Sequence, residues 1–123
     1  MSRSVLAESQ IHPAIRATVA GVQSDIIGEV QRAIAADAVV VVGMGWNPFC
    51  GKARKQLDAL GVPYRYLEYG NYLSQWRRRS GLKMWTGWPT FPMVFVRGVL
   101  IGGASELAGL VASGEWATLQ KEN

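Results

Sequence analysis

A proline at the head of an apolar run constrains the fold of this chain more than any other feature. Residues 87–103 read GWPTFPMVFVRGVLIGG. Proline cannot donate a hydrogen bond to a strand ladder, so Pro92 predicts the first residue of a strand and a candidate cis Phe91–Pro92 bond. The residues at 97–98 predict a turn that joins the flanking apolar runs into a hairpin. The glycines at 102–103 predict a close approach of the backbone to a helix or a ligand.

Length and composition predict one mildly basic, soluble domain. The chain has 123 residues, of which 49% are hydrophobic, and a formal net charge of +4. That length is typical of a single domain. No apolar run approaches the ~18 residues that a membrane span needs, so no membrane contact is expected. The densest cationic run, at 77–79, is only three residues long, and we therefore expect no nucleic-acid partner.

The start of the chain and its single cysteine predict a cytoplasmic location. Residues 1–10 contain no apolar core run, so they lack the pattern of a secretory signal. Cys50 is the only cysteine, and an internal disulfide cannot form. A chain without disulfides is typical of a reducing compartment such as the cytoplasm.

The order of predicted elements indicates an α/β fold. We expect residues 1–20 to form an N-terminal extension, with a short helical piece broken at His12-Pro13, and residues 21–123 to form the domain. Apolar spacing and caps predict helices at 22–36, from Asn47-Pro48 to Gly61, at 105–112 and at 115–120. A further helix is predicted at 72–80, capped by Asn71 and stopped by Gly81. Strands are predicted at 38–42 and 62–67, and a hairpin at 93–101. The first two strands flank a helix and should be parallel, whereas the last two should be antiparallel. This order is that of the thioredoxin fold, a four-stranded mixed sheet flanked by helices.

Cys50 is the one residue with obvious nucleophilic chemistry. It falls in the first turn of the helix that begins at Asn47-Pro48. The free N–H groups and the dipole of a helix N-terminus stabilise a thiolate and make the thiol more reactive. A free cysteine is also commonly a small buried hydrophobic residue. Both interpretations remain open from the sequence.

Residues 87–103 closely resemble the second half of a glutaredoxin, and the resemblance extends over about residues 24 to 121. The Trp88-Pro89 pair is most similar to the monothiol branch, whose active site reads Cys-Gly-Phe-Ser. The resemblance implies an active-site loop at Trp46, Asn47, Pro48 and Phe49, in front of Cys50.

Two alignments of that loop compete. In one, residues 47–50 match the dithiol motif Cys-Pro-Tyr-Cys, so that Asn47 replaces the nucleophile and Cys50 stands at the resolving position. In the other, residues 48–55 match the monothiol segment and Cys50 is the nucleophile, which requires a shorter loop before Pro48 and a shorter helix before Gly61. Asparagine as the cap followed by proline favours the first alignment, because it places Cys50 one turn inside the helix.

The same resemblance implies a glutathione site. Arg79 falls where the monothiol branch has an arginine for a carboxylate of glutathione, and its planar guanidinium suits that role. Phe91 would offer its backbone N–H and C=O groups, next to Pro92, to the cysteinyl part. Ala104 and Ser105 match the Cys-Asp pair that binds the γ-glutamyl end, so an uncharged serine stands where the family has aspartate. We expect a groove of positive potential between Asn47, Arg79, Phe91 and Ala104.

Three functions agree with these features. The first is a glutathione-dependent thiol-disulfide oxidoreductase of low activity that acts on protein thiols by a monothiol route through Cys50. The second is a homodimer that holds a 2Fe-2S cluster through Cys50 and one glutathione per subunit, for delivery to iron-sulfur acceptor proteins. The third is a redox-silent binding module. A two-cysteine cycle within the chain is impossible.

Overall fold

The computed structural model describes residues 3–121, and side chains up to residue 119. A single turn of 3-10 helix at Glu8–Gln10 precedes the regular elements. The helices are α1 Pro13–Gly21, α2 Ser24–Ala36, α3 Pro48–Ala59, α4 Trp76–Thr86, α5 Ala104–Ser113 and α6 Glu115–Lys121. The strands are β1 Val39–Gly43, β2 Arg65–Glu68, β3 Met93–Val96 and β4 Val99–Gly102. No helix within 3–121 is long and apolar enough to cross a membrane.

The four strands form one mixed sheet in the order β2-β1-β3-β4. Strand β1 pairs in parallel with β2, and it pairs antiparallel with β3, which pairs antiparallel with β4. The predicted thioredoxin fold is therefore confirmed. All five residues of β1 are buried, as expected for a continuous β-branched run between two helical layers.

Alternating residues of the sheet divide the core into two layers, because successive side chains of a strand point to opposite faces. One layer joins the sheet to α2 and α4 through Val40, Val42, Met93, Phe95, Ile26, Val30 and Leu82. The other joins it to α3 and α5 through Val39, Val41, Val94, Val96, Leu57 and Leu107. The sheet is thus covered on both faces. Gly43 at the end of β1 lies near Cys50 of α3, and Phe91 in the loop before β3 bonds to Asn47.

Helix α4 differs from the prediction of a helix at 72–80. It begins at Trp76 and runs through position 81 to Thr86. Asn71 caps only a turn: its Oδ1 accepts a hydrogen bond from Leu73 N at 2.8 Å, and its carbonyl accepts one from Ser74 N at 3.2 Å. Asn71 therefore caps a single turn instead of the helix, which starts one turn later.

Gly81 does not stop the helix. It is buried inside α4, where a Cβ atom would lie 2.6 Å from the Cβ and Cγ atoms of Gln23. The glycine allows α4 to pack against the segment that leads into α2. Gly87, with φ of 76°, ends the helix instead, since glycine adopts the left-handed conformation without strain.

The N-terminal segment is interrupted at Ile11 and His12, as predicted, between the 3-10 turn and a regular helix. Pro13 opens α1, and Nδ1 of His12 accepts a hydrogen bond from Ala14 N at 3.0 Å. Proline is favoured at the first position of a helix, because a backbone N–H at that position would have no partner within the helix. Elsewhere the differences are small: α2 begins at Ser24 and β2 begins at Arg65.

Candidate functional site

The start of α3 is capped by the side chain of Asn47. Its Oδ1 accepts hydrogen bonds from Phe49 N at 2.8 Å and Cys50 N at 3.3 Å. Pro48 occupies the first helical position, so the predicted cap and the predicted proline position are both confirmed. The N–H groups that would stabilise an anion at this helix end are therefore bonded to a neutral carboxamide.

Cys50, the third residue of α3, is a core residue. Its exposure is only 2%. A Cβ atom on Gly43 would lie 2.9 Å from the Cys50 sulfur and 2.9 Å from the ring and hydroxyl of Tyr66. The sulfur thus lies between α3 and the paired strands β1 and β2. Of the two interpretations that the sequence left open, this burial favours a small hydrophobic core residue over an exposed nucleophile.

Burial raises the pKa of the Cys50 thiol above its ordinary value. A hydrogen bond with the backbone of Met44 lowers that pKa, but the effect is smaller. Among charged groups, Glu68 raises the pKa and Arg54 lowers it. The neutral thiol is favoured because the thiolate would lose its hydration inside the core.

A groove of about 300 Å³ lies beside the start of α3. The Phe91–Pro92 bond on its wall is cis, as predicted. The residues that line the groove are Phe49, Trp88, Thr90, Phe91, Pro92, Gly103, Ala104, Ser105 and Glu106. The structure therefore brings together five of the residues predicted for the site, and the volume lies at the lower end of the range for small-molecule pockets.

Asn47 reaches this groove from the side. Its Nδ2 donates a hydrogen bond to the Phe91 carbonyl at 3.3 Å, although the two residues are 44 positions apart in the chain. The end of α3 and the loop before β3 are therefore tied together. Trp46, the residue before the cap, is 66% exposed and has a φ of 65°, so the loop presents its largest side chain to solvent.

Arg79 lies elsewhere than predicted. It is only 7% exposed, and its Nη1 donates hydrogen bonds to the carbonyls of Tyr69 at 2.9 Å and Ser74 at 2.5 Å. The residues that line the groove do not include it. The expected groove between Asn47, Arg79, Phe91 and Ala104 is thus assembled without the arginine, because this guanidinium satisfies buried carbonyls of the loop before α4.

Comparison with known proteins gives the family of the chain. Residues 39–101, about half of the chain, match the family model for glutaredoxins. The chain belongs to the glutaredoxin family. It is 52% identical over 83 residues to a glutaredoxin-like protein of Dictyostelium discoideum, with 68% of each chain covered.

More distant relatives of this glutaredoxin-family protein include a monothiol member. The mitochondrial monothiol glutaredoxin-5 of Schizosaccharomyces pombe is 32% identical over 97 residues, covering 75% of this chain and 66% of the relative. Among solved structures, a buckwheat glutaredoxin-glutathione complex superposes with a TM-score of 0.69 at 23% identity, covering 79% and 88% of the two chains. At that identity the likeness shows the fold alone.

Two lysines beside the groove of this glutaredoxin-family protein were missed by the sequence analysis. Lys83 Nζ lies 5.7 Å from the ring centroid of Phe91, and Lys52 Nζ lies 5.1 Å from that of Phe49. Lys83 follows Arg79 by four positions, a spacing that places two residues on the same face of a helix. That spacing gives no signal for the groove, however, because Arg79 itself turns to the carbonyls of Tyr69 and Ser74.

Two polar groups at the groove were also missed. The carboxylate of Glu106 accepts a hydrogen bond from Gly103 N at 2.9 Å, which helps to cap α5. The indole Nε1 of Trp88 is buried and has no hydrogen-bond partner among the described residues. No sequence signal indicates that unpaired atom, because it depends on how the loop packs over Gly103.

The site residues of this glutaredoxin-family protein do not fit an iron-sulfur cluster. A cluster is held by thiolates, and the only thiol of this chain packs into the core against Gly43 and Tyr66, which leaves no room for iron at the sulfur. Among the residues within 3–121, no group of three or more His, Cys, Asp or Glu side chains could hold a metal ion.

Proposed function

We propose that this glutaredoxin-family protein binds glutathione in the groove beside α3 and exchanges disulfides slowly or not at all. The proposal rests on what Asn47 and Cys50 place at the start of α3. A carboxamide occupies the helix cap, and the chain's one thiol is 2% exposed.

Disulfide exchange needs a thiolate that can reach a disulfide sulfur. A carboxamide cannot form or leave a sulfur–sulfur bond, so Asn47 cannot act in that step. Cys50 has a raised pKa and lies in the core, which lowers both the thiolate fraction and its access to a substrate. Binding therefore needs no opening of the core, whereas exchange through Cys50 does.

The groove offers several groups that suit a small peptide with two carboxylates. Lys52 and Lys83 provide cations beside the rings of Phe49 and Phe91. The first turn of α5 begins at Ala104 and provides free N–H groups at a helix end, where an anion is favoured. Glutathione carries two carboxylates and one ammonium group, and Glu106 supplies a carboxylate on the same wall.

A monothiol route through Cys50 is the second candidate. The backbone hydrogen bond at Met44 lowers the thiol pKa, and one relative is named a monothiol glutaredoxin. This route requires local opening of the start of α3 to expose the sulfur. Its rate would depend on how often the helix end opens.

Two measurements on the same preparation distinguish the candidates. Isothermal titration calorimetry with glutathione measures binding, and reduction of the mixed disulfide of glutathione with cysteine measures exchange. We expect binding by the unmodified protein, exchange close to background, and no effect of Cys50→Ser on either result. Absence of binding would refute the proposal, whereas exchange that Cys50→Ser abolishes would favour the monothiol route.

A further inference from the structure

We propose that Asn47 determines ligand specificity at the groove by occupying the Phe91 carbonyl. The inference rests on the proposed function, because it concerns how the same groove recognises a cysteinyl peptide such as glutathione. It assigns Asn47 a role in addition to capping α3.

The orientation of the Asn47 side chain follows from its two sets of partners. Its Oδ1 accepts from two N–H groups in the first turn of α3, at 2.8 and 3.3 Å. The amide nitrogen must then point away from the helix, and it donates to the Phe91 carbonyl at 3.3 Å. A cap of this kind stabilises a helix, so the carboxamide is held in the position from which it reaches Phe91.

The Phe91 carbonyl is the acceptor for which a ligand would compete. Phe91 lines the groove, and its carbonyl already accepts the hydrogen bond from the Asn47 amide. A ligand that offers its own peptide N–H to this carbonyl competes with that amide for the oxygen. A ligand without a donor at this point does not compete with Asn47.

A serine at position 47 separates the two roles of the side chain. Asn47→Ser keeps an oxygen that can cap α3, but it removes the nitrogen that donates to Phe91. Because a neutral hydrogen bond contributes about 1 kcal/mol net, we expect Asn47→Ser to bind glutathione roughly two- to tenfold more tightly than the unmodified protein in calorimetric titrations. Asn71→Ser is the matched control, since Asn71 also accepts a local backbone bond but does not line the groove; its affinity should not change.

A second probe tests whether the peptide N–H is responsible. Glutathione methylated at the cysteinyl amide nitrogen has no donor for Phe91, so Asn47→Ser should bring no gain with this probe. An equal gain with both probes would overturn the proposal, as would equal glutathione affinities for Asn47→Ser and the unmodified protein; glutathione binding itself would stand in both cases. If no variant binds glutathione, the proposed function fails as well.

The hydrogen bond can also be measured without a ligand. NMR spectra should show one Asn47 side-chain amide proton that exchanges more slowly with water than those of Asn71. Equal, rapid exchange of the two side chains would show that Asn47 does not hold the carbonyl, and would overturn the proposal whatever the groove binds.

Discussion

The sulfur of Cys50 lies so close to Gly43 that a Cβ atom at position 43 would approach it to 2.9 Å. The hydroxyl of Tyr66 lies equally close to the same point. This contact places the thiol between a helix and two strands, and Cys50 is not among the residues that line the groove. The groove can therefore hold a ligand while the thiol stays buried in the core.

Cys50 should make the protein less stable in mildly alkaline solution. Burial raises the thiol pKa in the folded state, so the unfolded chain loses this proton first. The contribution of Cys50 to the free energy of unfolding is constant below the ordinary thiol pKa of about 8.5. It decreases as the pH rises from there towards the thiol pKa of the folded state. Urea unfolding between pH 7 and 10 should show this decrease, and Cys50→Ala should flatten it. An unchanged slope in the variant would mean that the thiol does not titrate with unfolding.

A thiol at the helix cap should restore exchange. In Asn47→Cys the N–H groups of Phe49 and Cys50 would face a thiolate instead of the amide oxygen, which lowers the pKa of the new thiol. We expect reduction of a glutathione mixed disulfide to rise at least tenfold, with alkylation of the new thiol already fast near pH 7. Fast alkylation of the unmodified protein with an apparent pKa below ~7 would instead identify Cys50 as the nucleophile.

Arg79 should matter most for stability. Arg79→Ala removes the donor for the carbonyls of Tyr69 and Ser74, and unpaired buried carbonyls cost about 1–3 kcal/mol each. We expect the free energy of unfolding to fall by about 2–3 kcal/mol, measured by urea titration. Arg77→Ala, which removes an exposed neighbour, should change it by less than about 0.5 kcal/mol. If Arg79→Ala instead leaves stability intact and weakens glutathione binding, the role implied by the family resemblance is correct.

Lys83 should contribute to ligand affinity through its charge. We expect Lys83→Ala to weaken glutathione binding about two- to fivefold in low salt, because an exposed ion pair contributes at most about 1 kcal/mol. The difference should shrink in 0.5 M NaCl as the charge is screened. Lys55→Ala, an exposed lysine of α3 outside the groove, should bind like the unmodified protein. A salt-independent loss would indicate that Lys83 acts through packing on Phe91.

Two helical glycines should respond oppositely to the same substitution. Gly81→Ala would place a Cβ atom 2.6 Å from Gln23, and we expect a loss of about 1–3 kcal/mol in the free energy of unfolding. Gly109→Ala adds a Cβ atom with nothing within 4 Å. Because alanine favours helix, it should stabilise the protein by up to about 1 kcal/mol. Thermal and urea unfolding of both variants test this pair, and equal effects would contradict the packing of α4 on Gln23.

The family of the chain and much of its fold followed from sequence because the signals act between near neighbours. The Asn47 cap bonds to N–H groups two and three positions further on, and the turn at 97–98 joins strands that are adjacent in the chain. The order of such elements, with a buried first strand and a final hairpin, leaves the thioredoxin fold as the arrangement to expect.

Only the tertiary structure decided which of the predicted site residues can contact a ligand in the groove. Gly81 carries the sequence signal of a helix stop, but its contact is with Gln23 from another element. Arg79 donates hydrogen bonds to carbonyls of the loop before α4, and Cys50 is buried in the core. The bond between Asn47 and Phe91 joins residues 44 positions apart. Local patterns contain no information on such contacts, because burial and long-range hydrogen bonds exist only once the sheet and helices have packed.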